Sequence, residues 1–302
     1  MIIQNPIFVT GATGFIGSHL VRSLLKKGCE VHITVRADNN NNHITDILDK
    51  CIVHKIDLTN HSKVAEIVKE IKPQTLFHLA AYGVDYRQRD ETKAKEVNIK
   101  ATVNLFNSFR GTSFIHTSTA SVYGPIDRPL TEKDPILPRT LYGKTKALSV
   151  KKLTRLNKSK NVILVVLRPF GIYGPMDGEY KLIPEIIKKL SQGQALKFTY
   201  GNQVRDYLFV DDLVEAYYKA AQLDTSGIFN VGSGKGYTHK YIALKIAEEL
   251  KVNSKLIKFG AIPYRPNESM YSVANIDVTR KVMRWEPTTS MGIGIRKTLN
   301  WT

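Results

Sequence analysis

The sequence predicts an α/β protein built on a doubly wound parallel sheet. Short apolar segments with the length of strands alternate with amphipathic helical segments through the first half of the chain. A glycine-rich turn follows the first of these segments. The chain has 302 residues, of which 42% are hydrophobic and 24% charged, as in an ordinary globular protein. This composition excludes a disordered chain, a collagen-like chain and a disulfide scaffold.

The first half has six predicted strands and four predicted helices. Because the strands are rich in apolar residues, both faces of their sheet are expected to be covered by helices, and right-handed crossovers then give the doubly wound arrangement. The predicted strands are Ile7–Thr10, Val31–Val35, Cys51–Asp57, Thr75–Ala80, Ser113–Thr117 and Asn161–Arg168. The predicted helices are Ile16–Leu25, Val64–Ile71, Asp90–Phe109 and Tyr142–Asn157.

The second half is less regular and rich in Gly, Pro and Tyr. Its helical spacing predicts helices at Ile183–Leu190, Asp212–Leu223 and His239–Leu250. The composition changes near residue 173, which predicts a domain boundary there.

The net charge of +17, from 44 basic and 27 acidic residues, favours anionic partners. The lysines are dispersed along helices, and no segment interleaves them with stacking aromatics, so we expect no nucleic-acid partner. No apolar run approaches the ~20 residues of a membrane span, and no secretory signal is evident. We expect the two cysteines to be reduced thiols and the protein to be cytoplasmic. The eight histidines do not have the spacing of metal ligands, so we expect no metal site.

The turn after the first strand carries three glycines, at positions 11, 14 and 17. Gly11 makes the tight turn, Gly14 lets the backbone approach a pyrophosphate, and Gly17 allows close packing of helix and strand. The helix that follows presents free N–H groups to the phosphates. The motif therefore predicts a dinucleotide site at this turn.

Tyr142 and Lys146 lie four residues apart and share one face of a predicted helix. An ammonium beside a phenol lowers the pKa of the phenol from about 10 toward working pH. Such a tyrosine can exchange a proton with an alcohol or ketone oxygen.

These motifs resemble the extended short-chain dehydrogenase/reductase family of nucleotide-sugar epimerases, dehydratases and reductases. The similarity runs nearly end to end, through His78–Ala81, Thr117–Gly124, Tyr142–Lys146, Leu167–Pro175, Val204–Asp212, Phe229–Gly234, Arg265–Glu268 and Trp285–Pro287. The resemblance implies a Rossmann fold in residues 1–172, with return segments near residues 204–234. It also implies a smaller, discontinuous substrate-binding domain, mainly in residues 173–302, and a homodimer.

The resemblance also implies residue roles. Tyr142 is the acid/base, Lys146 also holds the nicotinamide ribose, and Thr119 bonds to the reacting sugar oxygen. Asp57 and Leu58 match the pair beside the adenine. The other positions that match cofactor contacts are Gly11, Thr13, Gly14, Phe15, Ile16, Gly17, Leu79, Ala80, Ala81, Asn98, Pro169 and Ile172.

The end of the second strand indicates the type of cofactor. NAD binders place an acidic residue there to hold the ribose 2′-hydroxyl, whereas this chain has Val35 followed by Arg36. The guanidinium of an arginine presents paired N–H donors to a 2′-phosphate, which favours NADPH as the cofactor. NAD remains an alternative cofactor, because Asp38 is close enough in sequence to reach the ribose.

The position after Thr119 indicates the reaction. The family's 4,6-dehydratases have Asp-Glu there, whereas this chain has Ala120 and Ser121, which disfavours dehydration. With Arg36, this favours an NADPH-dependent reductase of a 4-keto nucleotide sugar over the alternative, a 4-epimerase with resident NAD.

Two more distant alternatives are reduction of a non-nucleotide ketone and a non-catalytic dinucleotide-sensing or RNA-binding protein. Arg205 and Arg265, expected by resemblance to converge on the substrate diphosphate, argue against the first. The intact set of Thr119, Tyr142 and Lys146 argues against the second. Gly171 and Glu268 are also expected at the substrate, where many relatives have Asn and Asp, and the loop of residues 82–89 is expected near the sugar.

Overall fold

The structure, a computed structural model, describes residues 3–36, 43–265 and 268–301. The strands are β1 Ile7–Thr10, β2 Val31–Val35, β3 Ile52–Lys55, β4 Thr75–His78, β5 Ser113–Thr117, β6 Ile163–Pro169, β7 Gly171–Tyr173, β8 Leu196–Lys197, β9 Val204–Phe209, β10 Gly227–Val231, β11 Gly236–Thr238, β12 Ile257–Lys258 and β13 Tyr271–Ser272. The α-helices are α1 Phe15–Lys26, α2 His61–Ile71, α3 Glu91–Lys95, α4 Thr102–Ser108, α5 Leu141–Asn157, α6 Leu182–Ser191, α7 Val210–Ala220, α8 His239–Glu249, α9 Asp277–Met283 and α10 Met291–Leu299.

Seven parallel strands form the central sheet in the order β10–β6–β5–β4–β1–β2–β3. Alternate residues of β1 enter different cores: Ile7 and Val9 pack with α1 and α7, and Phe8 packs with α2, α4 and α5. Helices therefore cover both faces, and the predicted doubly wound sheet is confirmed. The strand order reverses between β1 and β4, which opens a crevice at their carboxyl ends.

Residue patterning did not predict the seventh strand, β10, which pairs with β6 and lies within the return segments near residues 204–234 that the resemblance implied. Its partner lies about sixty residues earlier, and five residues with one glycine carry too little pattern to predict a strand. The neighbouring segment β9 leaves the main sheet and forms a second sheet with β7, β11 and β13.

The single helix predicted at Asp90–Phe109 is wrong in detail. The structure has three successive segments here: α3, a π-helical segment Glu96–Ala101 and α4. Asn98 lies in the π-helical segment, where its side-chain amide donates to the Tyr82 carbonyl and the Thr145 hydroxyl and accepts from the Tyr82 N–H. These tertiary bonds hold the wider turn against the loop after β4, and helical spacing alone does not indicate them.

Two strands end earlier than predicted. β3 covers Ile52–Lys55 rather than Cys51–Asp57, and β4 ends at His78 rather than Ala80. After each of these two strands the chain leaves the sheet, and its next residues line the crevice. Within the described ranges, no helix has the length and apolar character needed to cross a bilayer, and no three His, Cys, Asp or Glu side chains cluster as a metal site.

Candidate active site

A cleft of about 670 Å³ opens at the carboxyl edge of the sheet, on both sides of the β1–β4 reversal. The glycine turn, the segments after β2 to β6, and residues 176–181 form its walls. The predicted site residues that line it are Gly11, Thr13, Gly14, Phe15, Ile16, Gly17, Arg36, Asp57, Leu58, Leu79, Ala80, Ala81, Thr119, Tyr142, Pro169 and Ile172.

The glycine turn fits the diphosphate of a dinucleotide. Gly11 has a φ of +75°, and a Cβ on Gly17 would lie 2.1 Å from the Gly11 carbonyl oxygen, so both positions need glycine. A Cβ on Gly14 would meet only that same oxygen, at 3.4 Å, which leaves the cleft side open. No side chain caps α1 after Gly14, so the positive end of the helix dipole faces the cleft.

Two short-range contacts bring Thr119 and Tyr142 to the same wall of the cleft. Thr140 caps α5 by accepting from the Gly143 N–H at 3.0 Å, which places Tyr142 in the first turn. Gly143 packs tightly against the segment after β5, because a Cβ there would lie 2.3 Å from the Ser121 carbonyl oxygen. The sequence analysis did not identify Gly143. Its signal was a glycine inside an otherwise good helix, directly after Tyr142.

The charge states of the Tyr142–Lys146 pair differ from the prediction. Burial raises the pKa of the Tyr142 phenol above its ordinary value, and burial lowers the pKa of the Lys146 amine from 10.5 to about 7. The predicted lowering of the Tyr142 pKa by Lys146 is therefore not found in the free chain, where burial is the cause of the shift and raises the pKa. The Tyr142 phenol is therefore neutral in the free chain and carries the proton that an acid role requires.

Lys146 and Asn98 do not line the cleft but lie buried in the protein interior next to it. The charge of Lys146 acts on two buried imidazoles, His78 at the end of β4 and His116 on β5. His78 bonds to the hydroxyls of Thr10 at 2.7 Å and Thr102 at 2.8 Å. Burial, with a smaller effect from Lys146, lowers the pKa of His78 to about 3, so this ring is neutral.

The end of β2 forms a basic edge of the cleft. Arg36 lines it, and its charge acts on Asp57, the residue predicted beside the adenine. Burial alone would raise the pKa of Asp57, but bonds from the Thr59 N–H and hydroxyl, with the charges of Arg36 and Lys93, lower it overall. Asp38, the residue that would hold the ribose if the cofactor were NAD, lies outside the described residues.

Of the five residues predicted at the substrate, Thr119 lines this cleft, and Gly171, Arg205, Arg265 and Glu268 do not. Arg205 lies on β9 of the second sheet, donates to the Ser269 carbonyl and pairs with Glu268 at 3.4 Å. The Arg265 guanidinium lies 5.9 Å from the Tyr86 ring centre. A Cβ on Gly171 would lie 2.6 Å from the Asp206 carbonyl oxygen, so strand packing accounts for that glycine. Contact of these residues with substrate stays a prediction.

The cleft has a wall that the sequence analysis did not assign, formed by Met176, Asp177, Gly178, Tyr180 and Lys181. This segment has no periodic pattern, and it is held by distant residues: Tyr180 packs on Tyr86, and the Lys181 ammonium lies 5.5 Å from the Phe15 ring centre. The loop expected near the sugar does contribute, through Tyr82, Val84 and Gln88.

An open helix N-terminus in a crevice at the strand-order reversal defines the class of dinucleotide-binding α/β proteins. Within that class, the model of the NAD dependent epimerase/dehydratase family matches residues 7–232, and the chain belongs to this family. The predicted resemblance is confirmed at this level.

Characterised relatives cover almost the whole chain. A UDP-glucose 4-epimerase of Mycolicibacterium smegmatis is 31% identical over 97% of both proteins. The CDP-abequose synthase of Salmonella typhimurium is 30% identical over 98% of both.

Solved structures show the same fold. The UDP-glucose 4-epimerase of Thermotoga maritima with UDP-glucose matches with a TM-score of 0.90, at 25% identity over 97% of both chains. The UDP-glucose 4-epimerase of Thermus thermophilus in complex with NAD matches with a TM-score of 0.86, at 26% identity over 97% of both chains.

Proposed function

We propose that this protein is an NADPH-dependent reductase that converts the 4-keto group of a nucleotide-linked sugar to an alcohol. The observation that carries the choice of cofactor is Arg36, which follows β2 and lines the cleft. A guanidinium at this place attracts a 2′-phosphate and offers it paired donors. A nucleotide-sugar substrate is supported by the relatives, whose names refer to UDP-glucose and CDP-abequose.

The residues of the chain supply the proton and the orientation. When bound, the nicotinamide provides reducing equivalents to the carbonyl carbon. Tyr142 donates its phenolic proton to the carbonyl oxygen, which its protonated state and its place on the cleft wall allow. Lys146, buried one turn further along α5, stabilises the phenolate that remains until Tyr142 regains a proton.

Thr119 is placed to donate a second hydrogen bond to the same oxygen. Its hydroxyl oxygen accepts from the Ser121 N–H at 3.1 Å, and no acceptor among the described residues takes its own proton. A donor fixed in this way stabilises negative charge on the substrate oxygen as it develops.

The segment after Thr119 argues against elimination of water. Ala120 and Ser121 form a short 3-10 helix here, and neither side chain is a carboxylic acid that could protonate a leaving hydroxyl. This supports reduction or epimerisation over dehydration.

The acid role is tested with Tyr142→Phe. We expect turnover of a 4-keto nucleotide sugar to fall about 1,000-fold, while NADPH binding, followed by fluorescence, stays within about twofold. Tyr180→Phe, which removes another hydroxyl at the cleft, is the matched control and should retain most activity. A fully active Tyr142→Phe variant would remove this mechanism.

The cofactor choice is tested with Arg36→Ala. We expect the NADPH dissociation constant to rise about 100-fold and the NADH constant less than threefold, because only NADPH carries the 2′-phosphate. Lys93→Ala, which removes another cation acting on Asp57, is the matched control. Equal losses for both cofactors in Arg36→Ala contradict the proposal.

A 4-epimerase with resident NAD is the second candidate, favoured by the 31% identical UDP-glucose 4-epimerase. An epimerase retains its dinucleotide through purification and consumes none. Absorbance of the purified protein at the nicotinamide wavelength, followed by an assay without added cofactor, distinguishes the two.

A further inference from the structure

His19 connects the helix beside the glycine turn to the wall of the cleft that the sequence analysis did not assign. It lies on α1, one turn after Phe15, and is 7% exposed. Its Nε2 lies 3.0 Å from the carbonyl oxygen of Pro175, 156 positions further along the chain. A backbone carbonyl can only accept a hydrogen bond, so Nε2 of His19 donates. Pro175 directly precedes residues 176–181, which we call the wall segment.

The hydrogen bond from His19 falls beside a residue with an unusual backbone conformation. Met176 lines the cleft and has a φ of +65°, in the left-handed region that residues other than glycine rarely adopt. Such a conformation persists where the surrounding structure holds it, and it is frequent at functional sites. His19 holds the oxygen of the peptide group that joins Pro175 to Met176. It therefore restrains the chain at the point where the wall segment begins.

The other end of the wall segment also contacts α1. The Lys181 ammonium lies 5.5 Å from the centre of the Phe15 ring and pairs with Asp177 at 2.9 Å. The Phe15 ring packs edge-on against His19, with ring centres 5.6 Å apart. Phe15 is the first residue of α1 and lines the cleft, at the end of the helix that faces the expected diphosphate. Both ends of the wall segment are thus attached to the helix of the dinucleotide site.

We propose that His19 is a positioning residue: by donating to the Pro175 carbonyl, it fixes the wall segment relative to the dinucleotide site and so shapes the space for the nucleotide sugar. A wall attached to α1 keeps a constant position relative to a cofactor bound at the same helix. A substrate held against that wall is therefore oriented toward the cofactor before the reaction begins. This inference rests on the proposed function, which places a nucleotide sugar and a dinucleotide together in the cleft.

The other side of the His19 ring provides a control. It borders a separate cavity of about 460 Å³, which Asp211 and Trp301 also line. The Asp211 carboxylate lies 3.8 Å from Nδ1, beyond hydrogen-bond distance, and the Trp301 ring centre lies 5.7 Å from that of His19. Asp211→Asn therefore changes the surroundings of Nδ1 and leaves the donor on Nε2 in place.

Two substitutions of His19 separate its hydrogen bond from its packing. His19→Leu keeps an apolar side chain against Phe15 and Trp301 but loses the donor. His19→Gln keeps an N–H donor near the position of Nε2. A role in packing alone predicts equal damage from the two variants, whereas the proposal predicts that Gln preserves the position of the wall segment and Leu does not.

Hydrogen exchange of the wall segment in the free protein, followed by mass spectrometry, reports how firmly the segment is held. The Lys181 N–H, for example, donates to the Gly178 carbonyl at 2.9 Å and exchanges when the segment opens. We expect exchange in this segment to be about fivefold faster in His19→Leu, as for loss of one neutral hydrogen bond, and less than twofold faster in His19→Gln and Asp211→Asn. Equal acceleration in Leu and Gln, none in Leu, or acceleration spread over the whole protein overturns the proposal.

Steady-state kinetics of the same variants test the effect on the substrate. Contacts with a wall are made in the ground state and the transition state alike, so their loss raises KM more than it lowers kcat. We expect His19→Leu to raise KM for a 4-keto nucleotide sugar about tenfold, to change kcat and the NADPH dissociation constant less than twofold, and His19→Gln to stay near the natural protein. A loss of NADPH affinity as large as the rise in KM contradicts the proposal.

A measurement on the unmodified protein keeps the test valid if His19→Leu fails to fold. Burial lowers the pKa of His19, so its ring is neutral at pH 8. ¹⁵N-histidine NMR, with the His19 signal assigned by comparison with His19→Gln, reports which nitrogen carries the proton. A proton on Nε2 supports the proposal, and a proton on Nδ1 overturns it. Neither the exchange nor the NMR measurement needs turnover, so an inactive enzyme would contradict the proposed function without deciding the role of His19.

Discussion

Replacing Lys146 by methionine should stabilise the free protein while it abolishes activity. Lys146 is 1% exposed, and burial lowers its pKa from 10.5 to about 7. Each pH unit corresponds to about 1.4 kcal/mol, so keeping this lysine charged in the folded state costs about 5 kcal/mol at low pH. Methionine fills a similar volume with no charge, and removes that cost.

The pH dependence of this gain has a definite sign. Between pH 7 and pH 10.5 the unfolded chain holds a proton on Lys146 that the folded chain releases, so the stability of the natural protein rises with pH. The advantage of Lys146→Met should therefore be largest below pH 7 and disappear above pH 10.5. From pH 6.5 to pH 9 we expect it to shrink by about 2 to 3 kcal/mol.

Urea unfolding of both proteins at these two pH values measures the difference directly. All other titrating groups are common to the pair, and their effects largely cancel in the comparison. Lys144→Met, on the exposed face of the same helix, is the matched control and should change stability little at either pH. A Lys146→Met variant that is less stable at pH 6.5, or whose advantage does not change with pH, refutes the reasoning.

Three further substitutions test one close contact beside the cleft and two sets of hydrogen bonds elsewhere in the fold. Gly143→Ala places a methyl 2.3 Å from the Ser121 carbonyl oxygen, moves Tyr142 away from Thr119 and should lower kcat about 100-fold in a steady-state assay. Asp206→Ala removes the acceptor of four hydrogen bonds from residues 233–274 and should cost about 4 kcal/mol in urea unfolding. Lys160→Met leaves three carbonyls at the end of α4 without their ammonium partner and should cost about 2 kcal/mol in the same assay.

Each of these has an outcome that contradicts it. Unchanged kcat in Gly143→Ala means that the close approach to Ser121 does not set the position of Tyr142. An Asp206→Ala protein as stable as the parent means that the four donors find other partners. Exposed Lys158→Met is the control for Lys160, and equal effects of the two would show that the three carbonyls do not matter.

Short-range pattern was sufficient for much of the dinucleotide half. The strands β1, β2 and β5 are buried along their whole length, and all three were predicted with their observed bounds. The glycine turn was equally readable from the spacing of Gly11, Gly14 and Gly17, although the close approach of Gly11 to Leu79 and Ala80 is a tertiary contact. The position of Tyr142 and Thr119 on one wall followed from the resemblance.

The amino-acid order did not determine three features that depend on residues from distant parts of the chain. The π-helical turn at Asn98 depends on Tyr82 and Thr145, and the pairing of Arg205 with Glu268 crosses more than sixty residues. The charge states of Tyr142 and Lys146 reverse the expectation because burial controls them, and burial exists only once the helix packs against the sheet. Local propensity acts between neighbours along the chain, whereas desolvation and close contact are properties of the assembled interior.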